Sequence, residues 1–213
     1  MDIDKKYRVI YQIFSKVVCS DLLGLIETDR IKILDILKEV KYKVSGTDTE
    51  EKNLPYTSDV NLLEMPELHF LKHKILRYVN DYMHNILRLE YNNFKITTSW
   101  AAKTKPGQKS HWHNHNNCFY SGVYYVNTYE NCGNIKFHDF STTRNQFKIA
   151  EYNKLNSPEF FIEPVNDKII LFPAEVYHQV AKNNSKKDRY SIAFNIIPTG
   201  EIGEADSKLI IKD

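Results

Sequence analysis

The chain has 213 residues, of which 29 are Lys or Arg and 27 are Asp or Glu. That length suits one domain with a core of its own, and the near balance of charge argues against a general nucleic-acid or membrane-surface binder. Three scattered cysteines, Cys19, Cys118 and Cys132, form no Cys-x-x-Cys pair, which argues against a disulfide framework or a thiolate zinc site and fits a reducing compartment. No signal-peptide pattern opens the sequence, and no apolar run approaches the ~20 residues of a membrane span. A cytoplasmic protein is expected.

In chain order, the β-branched and aromatic residues 7–18 predict a strand. A helix is expected over 29–41, capped by Asp29, with Ile33, Leu34, Leu37 and Val40 at helical spacing. Residues 44–60 read as loop. A longer helix starts near Pro66, and Leu68, Leu71, Ile75, Val79, Tyr82 and Ile86 form its buried stripe. His69, His73 and His84 fall on or near that helix and read as solvated or hydrogen-bonded side chains. Strands follow over 94–100, 116–127, 134–140, 159–165, 167–173 and 189–197, with turns at Asn131-Cys-Gly133 and Asn166-Asp167. Residues 141–158 form a polar insertion, a candidate lid. The expected class is mainly β with N-terminal helices (α+β). The division is one domain over 1–213, with supporting elements over 1–93, a β core over 94–197 and a tail over 198–213. Many short strands suit a sandwich or barrel, with the helices packed on one sheet face or serving as a homodimer interface.

The chemistry gathers in His111-Trp112-His113-Asn114-His115, His178 and Arg189. Strand alternation puts residues i and i+2 on one side, so His113 and His115 can share a metal ion. His111 has the same parity, and spacing leaves its part open. Imidazole nitrogen suits iron, zinc, copper and nickel. A third ligand must come from another strand, and His178, just past the apolar run Lys168-Ile-Ile-Leu-Phe172, is the best candidate. Trp112 reads as packing and His138 as structural. On the last strand Arg189, Ser191, Ala193 and Asn195 share one face, and Tyr190, Ile192, Phe194 and Ile196 the other. An inward guanidinium can grip a carboxylate in a bidentate pair, with the Ser191 hydroxyl adding a bond. Asn117 and Tyr125 continue the parity of His113 and His115 along a regular strand, which makes both candidates to contact a bound acid. Trp100, Trp112, Phe119 and Tyr120 are candidates to line a substrate pocket, and equally good core packing.

Together these stretches resemble the 2-oxoglutarate- and Fe(II)-dependent dioxygenases over roughly residues 94–197. The matching residues are His113-Asn-His115, His178, and Arg189-Tyr-Ser191 eleven residues later. Tyr124-Tyr125-Val126-Asn127 resembles a stretch of prolyl-hydroxylase-type members whose second tyrosine contacts the cosubstrate. Closest in pattern is a group of oxygenases of unknown substrate. The group shares His-x-His, Ser121-Gly-Val-Tyr-Tyr125, Leu171-Phe-Pro173 and Arg189-Tyr-Ser-Ile-Ala-Phe-Asn195.

The resemblance implies a double-stranded β-helix (jelly-roll, cupin-like) core. It implies Fe(II) on His113, His115 and His178, 2-oxoglutarate anchored by Arg189 and Ser191, and O2 as oxidant. The activity implied is hydroxylation of a small molecule or peptide, with 2-oxoglutarate decarboxylated to succinate.

One departure stands out. The superfamily's usual carboxylate is replaced by His115, which leaves the donor set one negative charge short and shifts its preference toward zinc or nickel. Asp139 is a candidate to compensate. Two other readings are a three-histidine dioxygenase that binds substrate directly on iron, and a non-catalytic metal-binding barrel.

Overall fold

The computed structural model describes residues 16–45, 53–90, 93–140, 148–153 and 155–212. The N-terminal part runs β1 (Cys19–Leu22), α1 (Glu27–Glu39), β2 (Lys43–Val44) and β3 (Tyr56–Thr57). A short 3-10 turn at Pro66–Leu68 leads into α2 (His69–Asp81), which continues as a π-helical turn at Tyr82–Ile86. The rest is β: β4 (Asn93–Thr104), β5 (Tyr120–Asn127), β6 (Ile135–His138), β7 (Glu159–Ile162), β8 (Lys168–Pro173), β9 (Tyr177–Val180), β10 (Arg189–Ile202) and β11 (Leu209–Ile211).

Two antiparallel sheets result. The larger has the order β1-β8-β5-β10-β4-β3-β2, with β11 paired to the far end of β10, and the smaller has the order β7-β6-β9. The larger sheet is apolar on both faces over its central strands, and each face feeds a separate core. On one side Tyr124, Val126, Ile169, Leu171, Ile192, Phe194 and Ile196 meet Ile33 and Leu37 of α1 and Leu71, Ile75 and Val79 of α2. On the other, Tyr125, Ile170 and Phe172 meet Ile135 and Phe137 of the smaller sheet. The period of two in each strand sorts the residues. It also explains the unbroken run Ile169-Ile-Leu-Phe172, where neighbours serve different cores. This is the expected α+β class, a jelly roll of two sheets backed by helices.

Several boundaries differ from expectation. The strand expected over 7–18 lies outside the described residues except for its last three, which are not in a strand. Helix α1 begins earlier, with Ile26 at its N-cap and Asp29 in the first turn, where a carboxylate favours the positive end of the helix dipole. The loop of 44–60 contains strand β3, which pairs β4 on one side and the edge strand β2 on the other. Ile86 leaves the buried stripe and is 65% exposed, while Met83 is fully buried. The cause is the π turn, in which Leu87 N–H donates to Tyr82 O, five residues back; the wider turn rotates later side chains off the α-helical register. Strand β5 starts only at Tyr120, β6 ends at His138, and β7 ends at Ile162. The segment 198–213 is no plain tail, because Gly200–Ile202 pairs with β11. Strand β9 was not expected at all, since Tyr177-His-Gln-Val180 is short and half polar.

Within β5, Gly122 is required by close approach. A Cβ there would lie 2.4 Å from Phe194 Cζ and 2.8 Å from Leu171 Cδ2. Gly122→Ala should therefore destabilise the fold by about 1–3 kcal/mol through overpacking. Adding Phe194→Leu should recover part of that loss. Chemical denaturation of both variants checks this; an unchanged midpoint for Gly122→Ala would contradict the packing.

Candidate metal centre and anion pocket

His113, His115 and His178 converge, with potential ligand nitrogens all within 4.8 Å of one another. Ring centroids are 4.3 Å apart for His113–His178, 5.1 Å for His115–His178 and 5.3 Å for His113–His115. Backbone pairing makes this arrangement. His113 N–H donates to His178 O at 3.0 Å, and His178 N–H donates back to His113 O at 2.8 Å. His115 N–H donates to Ala174 O at 3.0 Å. A single antiparallel bridge thus brings two distant segments to one point.

The ring nitrogens are oriented too. Nδ1 of His113 lies 2.9 Å from His111 O, and Nδ1 of His178 lies 3.0 Å from Val176 O. A carbonyl only accepts, so Nδ1 carries the proton in both rings and Nε2 keeps its lone pair for a metal. Burial pushes all three imidazoles below the usual histidine range, His115 to about 4 and His178 to about 3, with the neighbouring rings adding to the effect. They are neutral at physiological pH, the state in which imidazole ligates. Among the described residues this is a donor set without a carboxylate, and it fits a borderline divalent ion such as Fe(II), Ni(II) or Zn(II).

Arg189 faces the same cavity of about 100 Å³, together with Tyr125, Ser191, Thr104, Trp100 and the three histidines. It is 2% exposed. One terminal nitrogen donates to Gly133 O at 3.0 Å and weakly to Cys132 O at 3.4 Å, and the other to Thr104 Oγ1 at 2.7 Å. The Tyr125 ring lies 5.9 Å from the guanidinium carbon. Nε is buried without a partner, and no described acidic side chain pairs with the group. Burial lowers its affinity for the proton, against the pull of the Tyr125 hydroxyl. Burial likewise pushes Tyr125 up to about 12, tempered by the positive charge of Arg189. The phenol therefore stays protonated and able to donate. A charged group of this kind is costly to bury unpaired, and an anion in the cavity would offset that cost.

The structure brings His113, His115, His178, Arg189, Ser191 and Tyr125 around one cavity. Tyr125 arrives there although the regular strand behind its parity argument does not exist: residues 114–119 form no strand, and Asn117 takes a left-handed conformation at φ 59°. Asn117 is exposed and lies outside the cavity lining, because that turn carries it away. His111 contributes its carbonyl to His113 and no ring nitrogen to the cluster. His138 stacks on Phe140 on the outer side of the smaller sheet, with Trp112 edge-on to both. Asp139 is not in the donor group. Of the four candidate pocket aromatics only Trp100 lines the cavity; Phe119 is exposed and Tyr120 packs edge-on against Tyr82. His69, His73 and His84 each bond a backbone carbonyl on the helical side. Sequence reasoning missed Thr104 and the carbonyl of Gly133. Thr104 faces Arg189 in the β4–β10 register, a pairing no local motif announces.

Fold and site together define a double-stranded β-helix in which three histidines able to hold a metal share a cavity with a buried arginine. Residues 98–195, most of the β core, match the family model described as "Putative 2OG-Fe(II) oxygenase". Solved structures agree in fold. A non-heme alpha ketoglutarate dependent carbocyclase, SnoK from nogalamycin biosynthesis, matches with a TM-score of 0.66 at 13% identity, covering 87% of this chain and 81% of that one. A prolyl-4-hydroxylase of Pseudomonas putida matches with 0.59 at 14% identity, covering 85% and 93%. HygX from Streptomyces hygroscopicus, solved with nickel and 2-oxoglutarate bound, matches with 0.60 at 11% identity, covering 86% and 84%. No curated protein sequence matches the chain. No described helix is long and apolar enough to cross a membrane.

The buried neutral histidines set a pH dependence. In the unfolded chain these rings take up protons near pH 6.5, whereas folded His115 and His178 resist until about pH 4 and about 3. Between those limits the unfolded state binds more protons, so stability falls as pH drops through the window. The metal-free protein should lose stability from pH 6.5 to 4.5, and His178→Phe should reduce the slope. Denaturation midpoints across that range check this; identical slopes for the two proteins would contradict it.

Proposed function

We propose that the protein is a 2-oxoglutarate-dependent Fe(II) oxygenase that hydroxylates an organic substrate, with His113, His115 and His178 as metal ligands. The observation that carries this reading is Arg189, a buried guanidinium facing the cavity beside the histidines with no acidic partner among the described residues. A metal-binding module without a keto acid has no need of it. The family match over residues 98–195 supports the same chemistry. Three free cysteines fit a reducing, cytoplasmic setting.

When bound, the iron supplies the redox chemistry, coupling decarboxylation of 2-oxoglutarate to succinate and carbon dioxide with transfer of the second oxygen atom of O2 into a substrate C–H bond. The residues prepare that reaction. Arg189 holds the distal carboxylate of the keto acid, and Ser191 and the Tyr125 phenol add donors. Phe172, Ile135 and Val123 keep water from the anion, which strengthens each of those bonds. The backbone carbonyls of His111 and Val176 hold two imidazoles in the ligating tautomer.

The test is anaerobic titration of metal-stripped protein with Fe(II), then 2-oxoglutarate, watching for the visible charge-transfer band of a chelated keto acid. His113→Ala and His178→Ala should abolish the band. Arg189→Lys, which cannot span Gly133 O and Thr104 Oγ1 together, should weaken 2-oxoglutarate binding roughly 10–150-fold, the worth of one charge-assisted bond of about 1.5–3 kcal/mol. The all-histidine donor set favours one rival, direct binding of substrate on iron. Iron-dependent oxygen uptake that needs no keto acid would establish that rival instead.

A further inference from the structure

We infer that this site selects an acidic organic substrate, one that brings a carboxylate or another singly charged anionic group to the metal cavity. The inference rests on the reading above and concerns charge. The three imidazoles are neutral donors. A divalent metal ion and Arg189 would bring three positive charges into a space walled by Phe172, Ile135 and Val123. The two carboxylates of 2-oxoglutarate return two. One positive charge remains, and no Asp or Glu among the described residues lines the cavity to neutralise it.

The acidic residues closest in sequence to the site do not meet the need. Asp188 is paired with Lys103 at 3.2 Å. Glu175 is exposed beside Ala174 and does not line the cavity, and Asp139 is outside the donor group. The remaining wall carries no charge: the hydroxyl residues Ser45, Thr57 and Ser110 stand among Trp100, Pro55, Ala102 and Val180. Hydroxyls can donate to an anion, and an indole face suits a flat organic group. A substrate ammonium would find the excess positive charge and no carboxylate in the described wall. The field in a low-dielectric cavity is strong enough to decide between these classes. The usual exchange is inverted: the negative charge that a protein carboxylate would have supplied comes in with the substrate.

The probe is a shape-matched series, benzoate, benzyl alcohol and benzylammonium. Each is titrated calorimetrically into protein loaded with Ni(II), which does not turn over, and saturated with 2-oxoglutarate. Benzoate should bind at least about tenfold more tightly than benzyl alcohol, and benzylammonium should not bind. His115→Asp restores a protein carboxylate and should erase the preference for benzoate, while nickel content and the 2-oxoglutarate titration show that the variant is folded. If that variant fails to load metal, His115→Glu takes its place, and the wild-type series decides by itself. Equal binding of benzoate and benzyl alcohol would overturn the inference. So would tighter binding of benzylammonium. Failure of 2-oxoglutarate itself to bind would sink the proposed function separately. The series on the Ni(II) form alone, with its larger charge excess, would then show a still stronger preference for benzoate or refute the charge argument.

Discussion

A guanidinium with 2% exposure and no described acidic partner is the constraint around which this site is arranged. Stranding one charge in a protein interior costs several kcal/mol, and three separate elements reduce that cost. Strand β4 ends in Thr104, whose hydroxyl accepts one bond, and the turn after β5 turns two carbonyls inward. That turn works only with Gly133, which sits at φ 94° and has no room for a Cβ, since one would lie 2.2 Å from Ala181 O. The Tyr125 ring covers a further side. These contacts are neutral, so they hold the group in place without cancelling its charge. The field is left for whatever occupies the cavity.

The metal side is set by backbone pairing rather than by side-chain packing. The His113–His178 bridge fixes the distance between two chain segments, and each ring is then turned by a carbonyl two residues before it. The two devices are independent, which is how three imidazoles reach one point from segments 63 residues apart in number, from His115 to His178. Beneath them the larger sheet is clamped between two apolar cores. The helices thus matter to the chemistry indirectly. By burying Ile192, Phe194 and Ile196 on one face of β10, they force Arg189, Ser191 and Ala193 toward the cavity.

Where a period of two ran through strongly apolar strands, the sequence was legible. The two faces of β10 and the double burial of β8 follow from alternation alone, because a slip of one residue would invert every side chain. The stripe on α2 was legible as far as Tyr82 and failed at Ile86, since a π turn leaves no trace in hydrophobic spacing. Around the metal, the three histidines stood out by type and spacing, yet the regular strand linking them to Tyr125 does not exist. Asn117 takes φ 59° and breaks it, so Tyr125 reached the cavity through β5 while Asn117 did not. The partners of Arg189 were hidden for a different reason. A threonine at a strand end and a carbonyl in a turn gain meaning only from tertiary register.

The neutral donor set also changes how metal and cosubstrate depend on each other. With a protein carboxylate, part of the negative charge on the metal is built in before any keto acid arrives. Here imidazoles alone would hold the ion, and the first negative charge to reach it would be the keto acid's own. Each partner then stabilises the other more than it would in a site already neutralised by the protein. Because such coupling is reciprocal, tight metal binding and tight cosubstrate binding become one property of the loaded cavity. Arg189 lines the same space and would act on both: a guanidinium holding the distal carboxylate would fix the proximal end where a metal needs its charge.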